Sequence, residues 1–245
     1  MVKKMSSFNR YGLPRHIPEK VKRVVRQRDG FGCVLCATPI IDYEHVDPLF
    51  IDATCHDPAA ITLLCPTCHR KVTSGQISKE LVKKAMRDPA AKKAGQIGEQ
   101  IYFCDSHPKV IFAGASFTRC DVPIHILGED LISIDFVDGK YLLSACFWDE
   151  DGEQTLKIIK NEWVVSSEKV WDFRVIGNRI QIHQRMKKPA MTIRVENNNT
   201  FIVENFNMLI KNRVRIEGNQ EKVIINGNHF PAFNAIDCTY GIYLE

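Results

Sequence analysis

No apolar run in this chain approaches the roughly 18–20 residues that a helix needs to span a bilayer. No hydrophobic segment follows the basic Lys3 and Lys4 either, so the start does not read as an export signal. These two absences argue against a helical membrane protein and against a secreted one, and the expectation is a soluble, cytoplasmic chain. The nine cysteines are an odd number, which does not suit a closed disulfide framework. No strict internal repeat is found, so a short solenoid has no support from periodicity. What is present is ordinary globular composition: 245 residues, 44% hydrophobic and 25% charged, enough for one large domain or two small ones.

The net charge of +4 conceals an asymmetry. Residues 1–95 hold 17 of the 33 Lys and Arg but only nine of the 29 Asp and Glu, a balance of +8 against −4 for the remainder. A basic first third is what a polyanion-binding module requires, because neutralising phosphates releases counterions. A solvated charged face is the other reading of the same numbers.

The texture of the chain divides it in the same place. Residues 1–13 are polar and read as loose. Pro18 and Glu19 suit a helix start, and Val21, Val24 and Val25 line one side of a basic amphipathic helix over about 18–28, ended by Asp29-Gly30. Residues 39–46 suggest a strand or hairpin arm, and Ile77, Leu81, Val82 and Ala85 have helical spacing. Residues 88–95 read as a linker. Beyond about 97, alternating apolar segments at 131–137, 140–148, 155–160, 173–184, 190–195, 200–204 and 213–216 are separated by Asp138-Gly139, Asp151-Gly152, Gly177-Asn178 and Gly218-Asn219. That pattern predicts an all-β domain, an antiparallel sandwich or barrel. The expected class is α+β, with domains at 14–95 and 97–245.

Four cysteines form two C-x-x-C pairs, Cys33/Cys36 and Cys65/Cys68, with 28 residues between them. Two such knuckles place four thiolates around one tetrahedral zinc, a closed structural site that substitutes for a core in a small charged module. Cys55, Cys104, Cys120, Cys146 and Cys238 read as inert core thiols. Trp148, Trp163 and Trp171 read as sheet anchors.

Between and after the knuckles stand Glu44-His45-Val46-Asp47-Pro48 and Leu63-Leu64-Cys65-Pro66-Thr67-Cys68-His69-Arg70. With Arg15-His16-Ile17-Pro18 before the basic helix and Arg28-Asp29-Gly30 at its end, residues 14–78 resemble the HNH endonucleases, the ββα-metal nucleases. The resemblance implies that His45 is a general base toward water and that Glu44 and His69 hold one divalent ion on the scissile phosphate, distinct from the zinc. Magnesium or manganese suits that mixed oxygen and nitrogen site. DNA is the expected partner, with RNA left open, and cleavage of both strands by one metal centre would favour a homodimer. Two departures stand out. The family's middle Asn falls at Ala60, and Thr73 occupies the place of a second metal-binding His. Asp57 or Thr62 are candidates to replace the missing hydrogen bond.

Lys22, Arg23, Arg26, Arg70 and Lys71 are the candidate phosphate contacts. His16 reads as a phosphate contact or surface residue, and His56, in the 50–58 loop, as a solvated loop histidine ahead of one that approaches the site. The β domain offers no catalytic constellation; Asn161-Glu162-Trp163 and Trp171-Asp172 loosely resemble an accessory domain of assorted bacterial proteins, and an interaction role with a protein or ligand is expected. Two further readings stay open: a non-catalytic zinc-ribbon nucleic-acid binder, and a ligand sensor whose output is the nuclease.

Overall fold

Proline cannot donate a backbone hydrogen bond and fixes φ near the helical value, so Pro18 stands immediately before helix α1, Glu19–Asp29. The helix stops at Gly30, whose φ of +79° closes the last turn. A side chain there is excluded twice over: a Cβ would lie 2.7 Å from the Lys92 backbone nitrogen, and the left-handed conformation disfavours one. Val21 and Val25 of α1 pack on Ile17, Ile61 and Leu63. Val24, expected on that apolar side, is exposed instead.

The computed structural model describes residues 7–186 and 189–245, which fall into two units dividing between Ile97 and Gly98. In the first, strand β1 (Asp42–His45) pairs antiparallel with β2 (Ile61–Leu64), and His45 lies opposite Ile61. Helices α2 (Pro66–Thr73), α3 (Lys79–Arg87) and α4 (Ala90–Ala94) follow. Every residue of β2 is buried. Ile61 and Leu63 join the α1 cluster, while Leu64 joins Cys33, Val34, Val46, Cys65, Cys68, Val72 and Val82. The stretch read as a linker is thus partly helical, with Ala91 fully buried and the Ala90 amide donating to the Val34 carbonyl at 2.9 Å. Residues 7–13 also differ from the loose segment expected. The Asn9 side chain accepts from the Tyr11 and Leu13 amides and donates to the carbonyls of Phe50 and Ala53.

The second unit is β-rich. Its strands are β3 (Gln96–Gln100), which enters from the first unit's last residues, β4 (Lys109–Phe112), β5 (Ala115–Ile126), β6 (Glu129–Val137), β7 (Lys140–Trp148), β8 (Gln154–Ile159), β9 (Glu162–Ser166), β10 (Asp172–Ile176), β11 (Arg179–His183), β12 (Met191–Glu196) and β13 (Thr200–Glu204). They continue as β14 (Phe206–Ile210), β15 (Val214–Gly218), β16 (Val223–Ile225), β17 (Asn228–Phe230) and β18 (Phe233–Leu244). Twelve of the strands form one large curled sheet, ordered β10-β11-β12-β13-β4-β5-β6-β7-β8-β9-β3, with β18 added on β5. β14 to β17 form a separate four-stranded sheet. The two sheets meet at Phe112 and Phe206, whose rings are 4.1 Å apart.

Tight hairpins build most of this. Leu127-Gly128, Asp138-Gly139, Lys160-Asn161 and Asn226-Gly227 all have two consecutive positive φ values, the backbone whose twist matches two antiparallel strands. The purely antiparallel expectation needs correction at two ladders. β13 pairs parallel with β4, and β18 pairs parallel with β5. Parallel neighbours need long connections, so alternation within a segment cannot reveal them. Among the described residues no ladder joins the two ends, β10 and β3, so hydrogen bonding does not close the sheet into a barrel. Nor, among the described residues, is any helix long and apolar enough to cross a membrane.

Candidate functional site

The second C-x-x-C lies at a helix start. Cys65 precedes α2, and its sulfur accepts from the Cys68 amide at 3.3 Å, which bends the chain so that both thiols face the same way. The sulfurs of Cys33, Cys36, Cys65 and Cys68 all lie within 4.8 Å of one another. Cys36 Sγ is 3.6 Å from Cys65 Sγ and 3.8 Å from Cys68 Sγ. Tetrahedral zinc with bonds of about 2.3 Å sets its sulfurs roughly 3.8 Å apart, so these four cysteines can hold one metal ion such as zinc. Without metal their acidities diverge. Burial pushes the Cys33 thiol up to about 11 and raises Cys68 as well. Burial also opposes ionisation of Cys36, but hydrogen bonds from Thr38 and the adjacent thiols outweigh it and bring that thiol down to about 7.

Strand β1 carries the next group. Alternate residues of a strand share a face, and Asp42 and Glu44 both reach His69 of α2. Glu44 Oε2 is 3.0 Å from His69 Nε2, and Asp42 Oδ2 is 3.3 Å from His69 Nδ1. The His69 ring thus lies between two carboxylates, one at each nitrogen, and a carboxylate at one ring nitrogen fixes the orientation of the other. Two donors 3.0 Å apart match adjacent corners of an octahedral ion with bonds of about 2.1 Å. A carboxylate oxygen and an imidazole nitrogen so spaced could share one divalent ion. Glu44 also holds a cation of the chain itself. Lys79, the first residue of α3, hydrogen-bonds Glu44 Oε1, and its Nζ lies 3.2 Å from the His45 carbonyl.

His45, last in β1, is 7% exposed. Burial, and then the neighbouring His56, hold its imidazole below the ordinary range, with Glu44 pulling the other way and Lys79 adding to the depression. Its Nε2 is 3.2 Å from His56 Nδ1, and His56 Nε2 is 2.8 Å from the Pro14 carbonyl. His56 is therefore not the solvated loop residue expected.

The loop around Ala60 is held from outside. Arg28 donates to the carbonyls of Pro58 and Ile61 at 2.7 and 2.6 Å. The fully buried Asp29 accepts from Arg28 at 2.7 and 3.0 Å, from the Thr62 hydroxyl at 2.7 Å and from the Leu63 amide at 3.1 Å. Asp57 caps the turn by accepting from the Ala59 amide at 2.9 Å. Ala60 is buried, and its carbonyl receives the Val46 amide at 2.8 Å, one residue after His45. Thr73 returns its hydroxyl to the His69 carbonyl at 3.0 Å and points no donor at the site.

The candidate phosphate contacts separate. Arg70 and Lys71 are exposed at the end of α2, and Lys22 and Arg23 are half-buried, with Lys22 Nζ 5.4 Å from the Tyr43 ring centre. Arg26 is a correction. It is 4% exposed and donates to the Tyr43 hydroxyl and Glu19, both at 2.6 Å, so it is part of the packing of α1 and not a surface for phosphate. His16 is exposed. Among the five scattered cysteines only Cys120 is buried, and Cys55 and Cys104 are exposed, so the inert-core reading fails for those two. Trp163 is a buried anchor, while Trp148 and Trp171 are half-buried.

A cleft of about 700 Å³ between α1 and α3, lined by Arg28, Asp47, Asp57, Lys83 and Arg87 among others, contains none of Glu44, His45 and His69. Asp42 and Lys79 are not legible in the sequence as members of the site, apart from the two-residue spacing of Asp42 from Glu44; His56 is legible only as a residue of a loop that could approach it. Comparison with models of known families, with curated proteins and with solved structures finds no match to this chain.

Proposed function

We propose that the N-terminal unit is a metal-dependent endonuclease of the HNH class, hydrolysing phosphodiester bonds in DNA. The observation that carries this reading is the 3.0 Å pairing of Glu44 and His69 with His45 adjoining Glu44 at the end of the same strand. His45 is the general base: depressed below the usual histidine range, it is uncharged at neutral pH and ready to take a proton from water. Glu44 and His69 would hold magnesium or manganese, which supplies charge neutralisation at the scissile phosphate. Asp42 orients His69 for that task. The four cysteines hold a structural zinc that fixes the start of α2, and so the position of His69 four residues on from Cys65. Arg70 and Lys71 contact the backbone beside the cut. The β-rich unit serves an accessory role toward a protein or ligand.

The test is nicking of supercoiled plasmid by the zinc-loaded chain with Mg²⁺ or Mn²⁺. Wild type converts the plasmid to the relaxed form, while His45→Ala and Glu44→Ala lower the rate at least about 100-fold. Activity that survives His45→Ala removes that residue from its role. One observation favours a second reading, a non-catalytic zinc-ribbon nucleic-acid binder: Lys79 already neutralises Glu44. In that case no metal yields nicking, and DNA binding persists in all three proteins.

A further inference from the structure

We infer that His56 and the Pro14 carbonyl form a hydrogen-bond relay that fixes which nitrogen of His45 carries its proton, making His56 a positioning residue for the base. The inference rests on the nuclease reading for its purpose, but its geometry stands independently. A proline carbonyl has no proton and only accepts, so the 2.8 Å contact requires His56 Nε2 to donate. An uncharged His56 then has its lone pair on Nδ1 and accepts across the 3.2 Å contact, so His45 Nε2 must be the donor. The proton of His45 is thereby placed on Nε2, and its lone pair on Nδ1. That nitrogen has no hydrogen-bond partner among the described residues and is not sealed from solvent. The relay thus leaves the free nitrogen of His45 in the form that can accept a proton from water.

The surroundings of His56 are built to hold it there. The Phe50 ring lies stacked 6.5 Å from His56 and tilted 5.4 Å from His45, and the Arg15 guanidinium sits 4.7 Å over Phe50. The segment that supplies Pro14 is tied to the same loop. Asn9 donates to the Phe50 and Ala53 carbonyls at 2.6 and 2.7 Å, and Arg10 pairs with Asp52 at 2.5 Å. A backbone carbonyl orienting an imidazole through its second nitrogen is a familiar device for fixing a tautomer. Here the imidazole of His56 transmits the order to His45 from a carbonyl 42 residues before His56 in sequence.

The experiment is long-range ¹⁵N–¹H correlation NMR of the histidine side chains in the zinc-loaded full chain, combined with plasmid nicking. Three proteins are compared: wild type, His56→Phe, which keeps an aromatic ring against Phe50 without polar atoms, and His56→Gln, whose amide can accept from His45 and donate to Pro14. In wild type, His45 should show the Nε2–H form. His56→Phe should give a mixture of tautomers and lower kcat about 10- to 100-fold with KM for DNA unchanged, and His56→Gln should recover both. A wild-type His45 protonated on Nδ1, or a tautomer indifferent to His56→Phe, overturns the relay even if nicking is normal. An intact relay in a protein that never nicks DNA overturns the nuclease reading, and with it the catalytic purpose but not the hydrogen-bond order. If His56→Phe fails to fold, the wild-type and His56→Gln spectra decide.

Discussion

Replacing Asp29 by Ala should be among the most damaging single changes outside the four-cysteine cluster. Its carboxylate is inaccessible and receives four hydrogen bonds, two from Arg28 and one each from the Thr62 hydroxyl and the Leu63 amide. Removing it strands two donors on fully buried residues, Thr62 and Leu63, at roughly 1–3 kcal/mol each. Arg28 is 30% exposed and keeps its bonds to the Pro58 and Ile61 carbonyls, so its loss of a partner adds less, about 0–1 kcal/mol. The sum is about 2–7 kcal/mol. For a unit of this size, 1 kcal/mol moves the melting temperature by about 4–8 °C, so the fall should be about 8 °C or more.

The assay has a built-in internal reference. Trp148, Trp163 and Trp171 all lie in the second unit, so tryptophan fluorescence follows that unit while calorimetry follows both. Asp29→Ala should shift the calorimetric transition to which fluorescence is blind and leave the other in place. Thr62→Val provides the second arm. Alone it removes one of the four donors to Asp29 and costs about 1 kcal/mol, whereas in the Asp29→Ala background it relieves an orphaned hydroxyl and costs nothing or stabilises. A melting temperature for Asp29→Ala within about 3 °C of wild type, or additive effects of the two substitutions, would refute the proposed brace.

Chelation of zinc, or Cys65→Ser, should abolish the transition of the first unit and release one zinc per chain, while Cys104→Ser, at an exposed position, changes neither; metal analysis with calorimetry decides. The depressed basicity of His45 sets the pH dependence. Deprotonation activates the base, so kcat/KM should rise with pH along an acid limb centred below the ordinary histidine value of 6.5; a limb centred above 7 contradicts the assignment. Replacing Arg70 and Lys71 by Ala should weaken DNA binding equally across sequences and reduce the slope of log K against log salt by about 1 per charge removed. Arg26→Ala should leave that slope alone and instead lower the stability of α1.

What could be read in the sequence is local. The two knuckles, the helix over about 18–28, the β-hairpin turns at Asp138-Gly139 and Gly177-Asn178, and segments such as 140–148 and 200–204 each depend on residues a few positions apart. The structure has β7 and β13 at those last two ranges. What stayed hidden is pairing at a distance. β18 finds β5 more than 100 residues earlier, and His56 finds Pro14 across 42. Neither leaves any trace in periodicity. Arg26 shows a different limit. Its place on a basic helix suggested phosphate, but Tyr43 and Glu19 supply partners that let its charge be buried. The turns using Lys160-Asn161 and Leu127-Gly128 were missed because their residue types are weaker markers than Asp-Gly, although the backbone they adopt is the same.

Ala60 does not by itself separate a nuclease from a binder, because Arg28, Asp29 and Asp57 all hydrogen-bond to the backbone on either side of it. Lys79 is the residue that separates them. In a nuclease it competes with the divalent ion for Glu44; in a binder it is the permanent partner of that carboxylate. The two side chains are 27% and 18% exposed, and a pair so placed is worth about 1 kcal/mol. If the ion must displace Lys79, then Lys79→Ala should tighten Mn²⁺ binding to the zinc-loaded chain about fivefold, since 1.4 kcal/mol corresponds to tenfold. Calorimetric titration measures this directly, and Glu44→Ala in the same background should erase it. No Mn²⁺ binding in either wild type or Lys79→Ala would mean that the lysine is a fixed partner, and that Glu44 and His69 hold the fold together and not an ion.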